Sequence, residues 1–209
     1  MSFQTFPYNV PLPSALPTPT APTFEFRLDQ IVKIAFQMPG TPFASEAAMK
    51  DQDTWDTLTA ATNATKIVLS PLFSNNKIDG GDAIMTQADS NLTVAGIPEL
   101  FGNGISKFSA EFRGKDSASV QSMRDLTQFS LQNSIGLTSL CGYLINKDGM
   151  LFCNADFSPI PIWNFNIADL SSDGLNTNNV YKITFQLAMG WNKTIVPVIP
   201  DFDIISYAP

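Results

Sequence analysis

The stretch VYKITFQLAMGW, residues 180–191, decides how the rest of the chain is read. Its odd positions are Tyr181, Ile183, Phe185, Leu187, Met189 and Trp191; its even positions from Lys182 are Lys182, Thr184, Gln186, Ala188 and Gly190. Successive side chains of a strand point to opposite sides, so this alternation predicts one buried and one exposed face. Carried through to Trp191, the run is about twice the usual strand length of roughly 5–6 residues. Six large apolar groups on one face of so long a strand mark the wall of a sandwich or barrel.

Working outward, Phe157 to Ala168 reads as a strand whose second part, Trp163–Ala168, pairs with the stretch above. Pro159 and Pro161 confine its first part to an edge or to a crossing between sheets, because proline cannot donate to a ladder. Leu137 to Phe152 predicts a hairpin turning at Lys147, Asp148 and Gly149. Before it, Asp116 and Ser117 cap a helix over 118–132 with Val120, Met123, Leu126 and Phe129 apolar. Phe108, Ala110 and Phe112 alternate with Lys107, Ser109, Glu111 and Arg113 in a strand ending at Gly114.

Further upstream, Phe24, Phe26, Leu28, Val32, Ile34, Phe36 and Met38 share one parity, opposite Glu25, Arg27, Asp29, Lys33 and Gln37. This predicts one long strand, or two with a break at Asp29 and Gln30, ended by Pro39 and Gly40. Ser45 to Leu58 predicts a helix, and Ile67 to Leu69 a short strand stopped by Pro71. Residues 74–104 carry the turn sequences DGGD (79–82) and GNG (102–104) and read as a long loop or a loosely formed hairpin. Loops of that length inside a domain are more often functional or interface-forming. Asn75, Asn76, Ile78, Ile84 and Met85 are its candidate subunit contacts. At the far end, Ile195 to Tyr207 is apolar, and Asp201 and Asp203 alternate with Phe202 and Ile204 as in a strand.

Residues 1–24 have no charge and hold six of the fifteen prolines. That density favours extended polyproline-like chain and prevents helix or central strand. Phe3, Phe6 and Tyr8 are candidate anchors for an arm lying on a neighbouring surface; a plain flexible tail is the competing reading. The expected organisation is an extended arm at 1–23 and a single β-rich domain at 24–209. The fold class is mainly β, a sandwich or barrel-like sheet with one or two flanking helices, a long inter-strand loop and the N-terminal arm.

The chain of 209 residues is 44% hydrophobic but only 15% charged, against about 25% charged in typical domains. Much of its surface must be Ser, Thr, Asn and Gln, which suits a surface that meets other subunits, where unpaired charge is costly, and equally a neutral, soluble β-rich protein. The net charge of −7 and the scattered basic residues argue against gripping nucleic acid through phosphate neutralisation. They are compatible with letting a polyanion pass without sticking. Histidine is absent, which excludes Ser-His-Asp and Cys-His catalysis and His-metal sites. The N-terminus does not read as a secretory signal, and no run has the roughly 18–20 apolar residues of a membrane span. Synthesis in the cytosol with reduced thiols is expected.

The remaining candidate sites weaken under scrutiny. Asp79, Asp82 and Asp89 do not match a calcium-loop spacing, and solvated turn residues explain them better. Glu46, Asp51, Asp53 and Asp56 read as the wet face of a helix. Cys141 and Cys153 approach one another across the predicted hairpin, but favoured loop lengths bring Cys141 opposite residues 154 to 156, so two reduced core thiols are expected. No catalytic residue, cofactor or metal is expected.

The order of these elements resembles the tail tube (major tail) proteins of long-tailed bacteriophages. The matching pieces are Lys107–Gly114, Ser117–Gln132, Leu140–Phe152 and Trp163–Trp191. The resemblance implies a β-sandwich flanked by one helix, stacking as rings with one sheet lining a channel. Residues 74–104 then correspond to the loop reaching between rings. Its implied partners are copies of itself and other virion proteins, with passive passage of DNA and no sequence-specific binding. The implied location is the virion. Two other readings stand beside it: a capsid-decorating or minor head protein, and a carbohydrate-binding β-sandwich.

Overall fold

A computed structural model describes residues 30–40, 42–85, 98, 100–113, 117–132, 140–170 and 180–208. Its strands are β1 (Ile31–Gln37), β2 (Val68–Leu69), β3 (Ser74–Asp79), β4 (Ala83–Met85), β5 (Leu100–Asn103), β6 (Ser106–Phe112), β7 (Leu140–Asn146), β8 (Leu151–Asn154), β9 (Ile160–Ile167), β10 (Tyr181–Leu187) and β11 (Ile195–Val198). The helices are α1 (Glu46–Lys50), α2 (Gln52–Ala60) and α3 (Ser117–Gln132). The fold is mainly β: one large antiparallel sheet, sandwich-like, with few helices.

The decisive stretch forms β10 in the middle of that sheet, between β9 and β6. Ile183, Phe185 and Leu187 are buried as the alternation requires. Phe185 stacks on Phe108 of β6 with ring centroids 4.5 Å apart. The strand stops four residues short of Trp191, however. Gly190 takes φ +70°, a left-handed conformation that glycine adopts without steric cost, and the chain turns there. Met189, expected on the buried face, is therefore exposed, and Trp191 begins a short 3-10 turn.

Strand β9 lies within the one large sheet, between β7 and β10, rather than at an edge or crossing between sheets as its prolines suggested. Ile160–Ile162 pair with β7, while Ile162–Ile167 pair with β10. A bulge lies between these halves: Thr184 faces Asn166, but Gln186 faces Trp163. Asn164 supplies the extra residue in the left-handed region at φ +52°, the backbone state of a residue opening a bulge. Parity flips there, so Trp163 and Asn164 are both exposed.

Beyond β9 the sheet curls round a core of Ile34, Phe36, Phe108, Phe112, Phe165, Ile183 and Phe185, with Val120 and Met123 of α3 packed into it. The segment leading to β3 runs along β1, where the Ser70 and Phe73 amides donate to the Ile34 and Val32 carbonyls. The two ends of the curl thus come side by side.

Strands β1 and β7 are buried on both faces. Ile34, Phe36 and Leu144 enter the first core, while Ala35, Tyr143 and Ile145 enter a second one with Trp55, Cys153 and Ile204. Two-sided burial hides polar groups that alternation alone would place in water. Lys33 and Gln37 are both buried. Gln37 Nε2 donates to the Thr65 carbonyl, and the Tyr143 hydroxyl donates to Gln37 Oε1.

The second core is roofed by α1 and α2, which the sequence pattern ran together as one helix. Asp51 separates them in extended conformation at φ −83°, ψ 122°. Its amide closes α1 on the Ala47 carbonyl, and its carboxylate accepts from the Thr54 amide to open α2. Among the described residues the expected helix over 45–58 is thus two short ones. Trp55 Nε1 donates to the Met49 carbonyl at 2.8 Å and ties the pair together.

The C-terminal segment differs from its expected strand after β11. Asp203 accepts through Oδ1 from the Ile205 and Ser206 amides, which folds residues 203–206 into turns. The β7–β8 hairpin turns as predicted, with Gly149 at φ +78° and Asn146 Oδ1 accepting from the Asp148 and Met150 amides. Its register continues to place Cys141 near residue 155, and both thiols are free and buried.

Candidate functional site

Two surfaces stand out among the described residues. The first is the outer face of β9, β10, β6 and β3. Inner positions on these strands fill the first core, so every second residue must face away from it. The register sets these residues in rows. Lys182 lies opposite Glu111, and Glu111 opposite Ser74. Asn166, Thr184, Ser109 and Lys77 make the next row. Trp163, Gln186, Lys107 and Asp79 make the third.

The face is rich in hydroxyls and amides, and its lysines outnumber its carboxylates three to two. Lys182 and Lys107 each face a carboxylate on a neighbouring strand, and Lys77 Nζ lies 2.5 Å from Asp79. Three lysines stand against Asp79 and Glu111, with Arg113 just past the end of β6. Such exposed pairs add little stability, roughly 0–1 kcal/mol each. Their effect is on the potential of the face, which has no run of like charge. Asn164 Nδ2 donates to Gln186 Oε1 at 2.6 Å across the bulge.

The second surface is the β4–β5 hairpin, a two-stranded sheet separate from the main one. It carries Ile84 at 50%, Met85 at 52% and Leu100 at 63% exposure, with Met189 at 59%. Ile84 and Met85, successive residues of β4, show these groups on both faces of the hairpin. The hairpin base is tight. Gly104 donates its amide to the Asp82 carbonyl at 2.7 Å, and a Cβ on Gly81 would fall 1.9 Å from the Gly104 carbonyl oxygen. At the other edge, a Cβ on Gly102 would lie 3.2 Å from Met189 Sδ, which places the hairpin against the turn after β10.

The candidate contact residues divide between these surfaces. Ile84 and Met85 are on the hairpin and exposed. Asn75 is exposed on β3 at φ +48°, and its Nδ2 donates to Glu111 Oε1 at 3.2 Å. Asn76 is half-buried and lines a cleft of about 490 Å³ with Gln30, Ser106 and Trp191. Ile78 is half-buried and packs against the first core rather than standing free. Phe3, Phe6 and Tyr8 lie outside the described residues. Leu100 and Met189 complete the apolar surface and were missed in the sequence. The turn sequence at Gly190 could have flagged Met189.

Lys33 is a buried lysine, 5% exposed. Its Nζ donates to the carbonyls of Ile204, Ile205 and Tyr207 at 3.2, 3.1 and 2.6 Å. Burial pulls its pKa below the ordinary 10.5, and the Asp203 carboxylate opposes that. With three acceptors occupied it is a structural clasp, which holds the C-terminal segment on the second core. The Tyr207 hydroxyl donates to Asp56 Oδ1 at 2.5 Å and closes the same segment onto α2.

No protein-family model matches the chain, and no curated protein does. A solved chain described as "Virion of native gene transfer agent (GTA) particle" is similar at 17% identity with a TM-score of 0.33. The match covers 56% of this chain and 79% of that one.

Proposed function

We propose that this chain is a virion structural protein, a tail tube subunit whose copies assemble into stacked rings around a channel that carries DNA. In this reading residues 1–23 form an extended arm and 24–209 a single domain. The partners are further copies and other virion proteins, and the chain performs no catalysis. The observation that carries it is the hydroxyl- and amide-rich face of β9, β10, β6 and β3, where carboxylates stand among the lysines. A channel wall for a duplex must avoid a basic belt, because neutralising phosphates releases counterions and holds the DNA in place. Thr184, Gln186, Asn164, Asn166 and Ser109 offer that wall, with Glu111 and Asp79 set among its three lysines.

The apolar hairpin supports a second contact, between successive rings. Exposed Ile84, Met85, Leu100 and Met189 on and beside this hairpin are unfavourable in water and favourable against another protein. The test is to place a charge on it: Met85→Glu should leave the monomer folded, as followed by circular dichroism, and abolish higher assemblies in sedimentation velocity. Undiminished assembly of that variant would remove the hairpin from the interface.

A further inference from the structure

A groove runs between α3 and β2. Its apolar end, about 260 Å³, is lined by Phe36, Met38, Val68, Leu126 and Leu140. Its wider end, about 760 Å³, shares Lys66, Val68 and Leu126 with the first and continues past Ser122 to Tyr207. Met38 stands at the lip, 39% exposed. The apolar end has the size for one or two side chains, below the roughly 300–1,000 Å³ of a small-molecule site.

We propose that this groove receives the N-terminal arm, residues 1–24, of a neighbouring copy of the chain, with an aromatic ring from Phe3, Phe6 or Tyr8 in its apolar end. The inference rests on the assembly reading above and names the partner surface for the arm. Three observations carry it. The arm is uncharged, so in a chain of net charge −7 it is the part that can approach another copy without repulsion. Its six prolines favour an extended chain of about 3.1 Å per residue, so the arm can span on the order of 60–70 Å.

The third observation is direction. The described chain starts at Gln30, beside Asn76 and Trp191, at one end of β1. The groove's apolar end lies at the other end, at Phe36 and Met38, and its wider end reaches back to Lys33. The start of the described chain and the apolar end of the groove are thus at opposite ends of a seven-residue strand. Joining an arm on one copy to a groove on the next is a head-to-tail contact, which propagates into rings or filaments rather than closing as a dimer.

The test uses the full chain carrying Phe6→Cys with Met38→Cys, oxidised under mild conditions and run on a non-reducing gel. Cys141 and Cys153 are buried, and the two single variants control for them. The expected result is a ladder beyond dimer for the double variant, and no ladder for either single variant or for Phe6→Cys with Met189→Cys. A faster-running cross-linked monomer would overturn the inference, because the arm would then lie in its own groove. So would a ladder with Met189→Cys in place of Met38→Cys. Electron microscopy of the same sample separates the two readings. Assemblies without a ladder overturn the groove assignment alone, whereas absence of both assemblies and ladder overturns the assembly reading as well.

Discussion

The Nζ of Lys33 lies 2.6 Å from the carbonyl oxygen of Tyr207, joining the first strand to a residue 174 positions later in the chain. The contact closes the fold end to end. It satisfies a buried ammonium with backbone acceptors where no carboxylate is in bonding range among the described residues.

Lys33→Met should keep the side-chain volume and remove the donor. Leaving the Ile204 and Tyr207 carbonyls unsatisfied should cost about 1–3 kcal/mol. Chemical denaturation measures the loss, and amide exchange should quicken first in residues 199–208. An unchanged midpoint would mean that these carbonyls find other donors.

Phe185→Ala should cost about 3–5 kcal/mol, the range for deleting a buried aromatic ring. The ring stacks on Phe108 and lies 6.5 Å from Phe165, so the cavity is walled by groups that cannot all collapse into it. A loss below about 1 kcal/mol would contradict its place at the centre of the core.

How much of this was legible in the sequence follows the same division. Where a strand has one wet face, as Tyr181–Leu187 and Ser106–Phe112 do, parity alone identifies the buried residues. Where a strand is covered on both sides, as β1 is, parity fails: Lys33 and Gln37 read as solvent-facing and are buried. The bulge at Asn164 and the end of β10 at Leu187 depend on single left-handed residues. The polar face was legible as a list of side chains but not as a surface. The matching of Lys182 with Glu111 and of Lys107 with Asp79 needs the register between strands far apart in the chain.

Asn164→Val tests the bulge. A β-branched residue held in the left-handed region costs roughly 1–2 kcal/mol, whereas Asn164→Gly should be close to neutral. If both variants cost the same, the hydrogen bond to Gln186 rather than the backbone conformation would be what matters at this position.

Stability falls as pH rises above 9.0, the ordinary thiol pKa. Burial raises the Cys141 thiol to about 11 and the Cys153 thiol to about 12 from an ordinary 9.0, with Asp156 adding to the second. Above pH 9 the unfolded chain gives up protons that the folded one keeps, so the stability tied to these thiols is complete below 9.0 and lost as pH climbs towards 11 and 12. The buried Tyr143 hydroxyl, also raised, acts in the same direction above its ordinary 10.0. Replacing both cysteines with alanine should flatten the fall between pH 9 and 11, by on the order of 2 kcal/mol per thiol. A slope unchanged by the double substitution would show that the thiols are not its source.

Gly81→Ala should separate folding from assembly. Its new methyl group would collide with the Gly104 carbonyl at the hairpin base, away from both cores. Thermal unfolding should be little altered, while sedimentation shows weaker assembly. Loss of the main unfolding transition would instead tie the hairpin to the stability of the whole domain.

The central claim is that the outer face of β9, β10, β6 and β3 lines a channel. Cryo-electron microscopy of the purified full-length chain tests it most directly. The expected map shows stacked rings with Thr184, Gln186, Asn164 and Asn166 turned towards the lumen. Assemblies in which those residues face outward, or a lumen ringed by lysine and arginine, would contradict it.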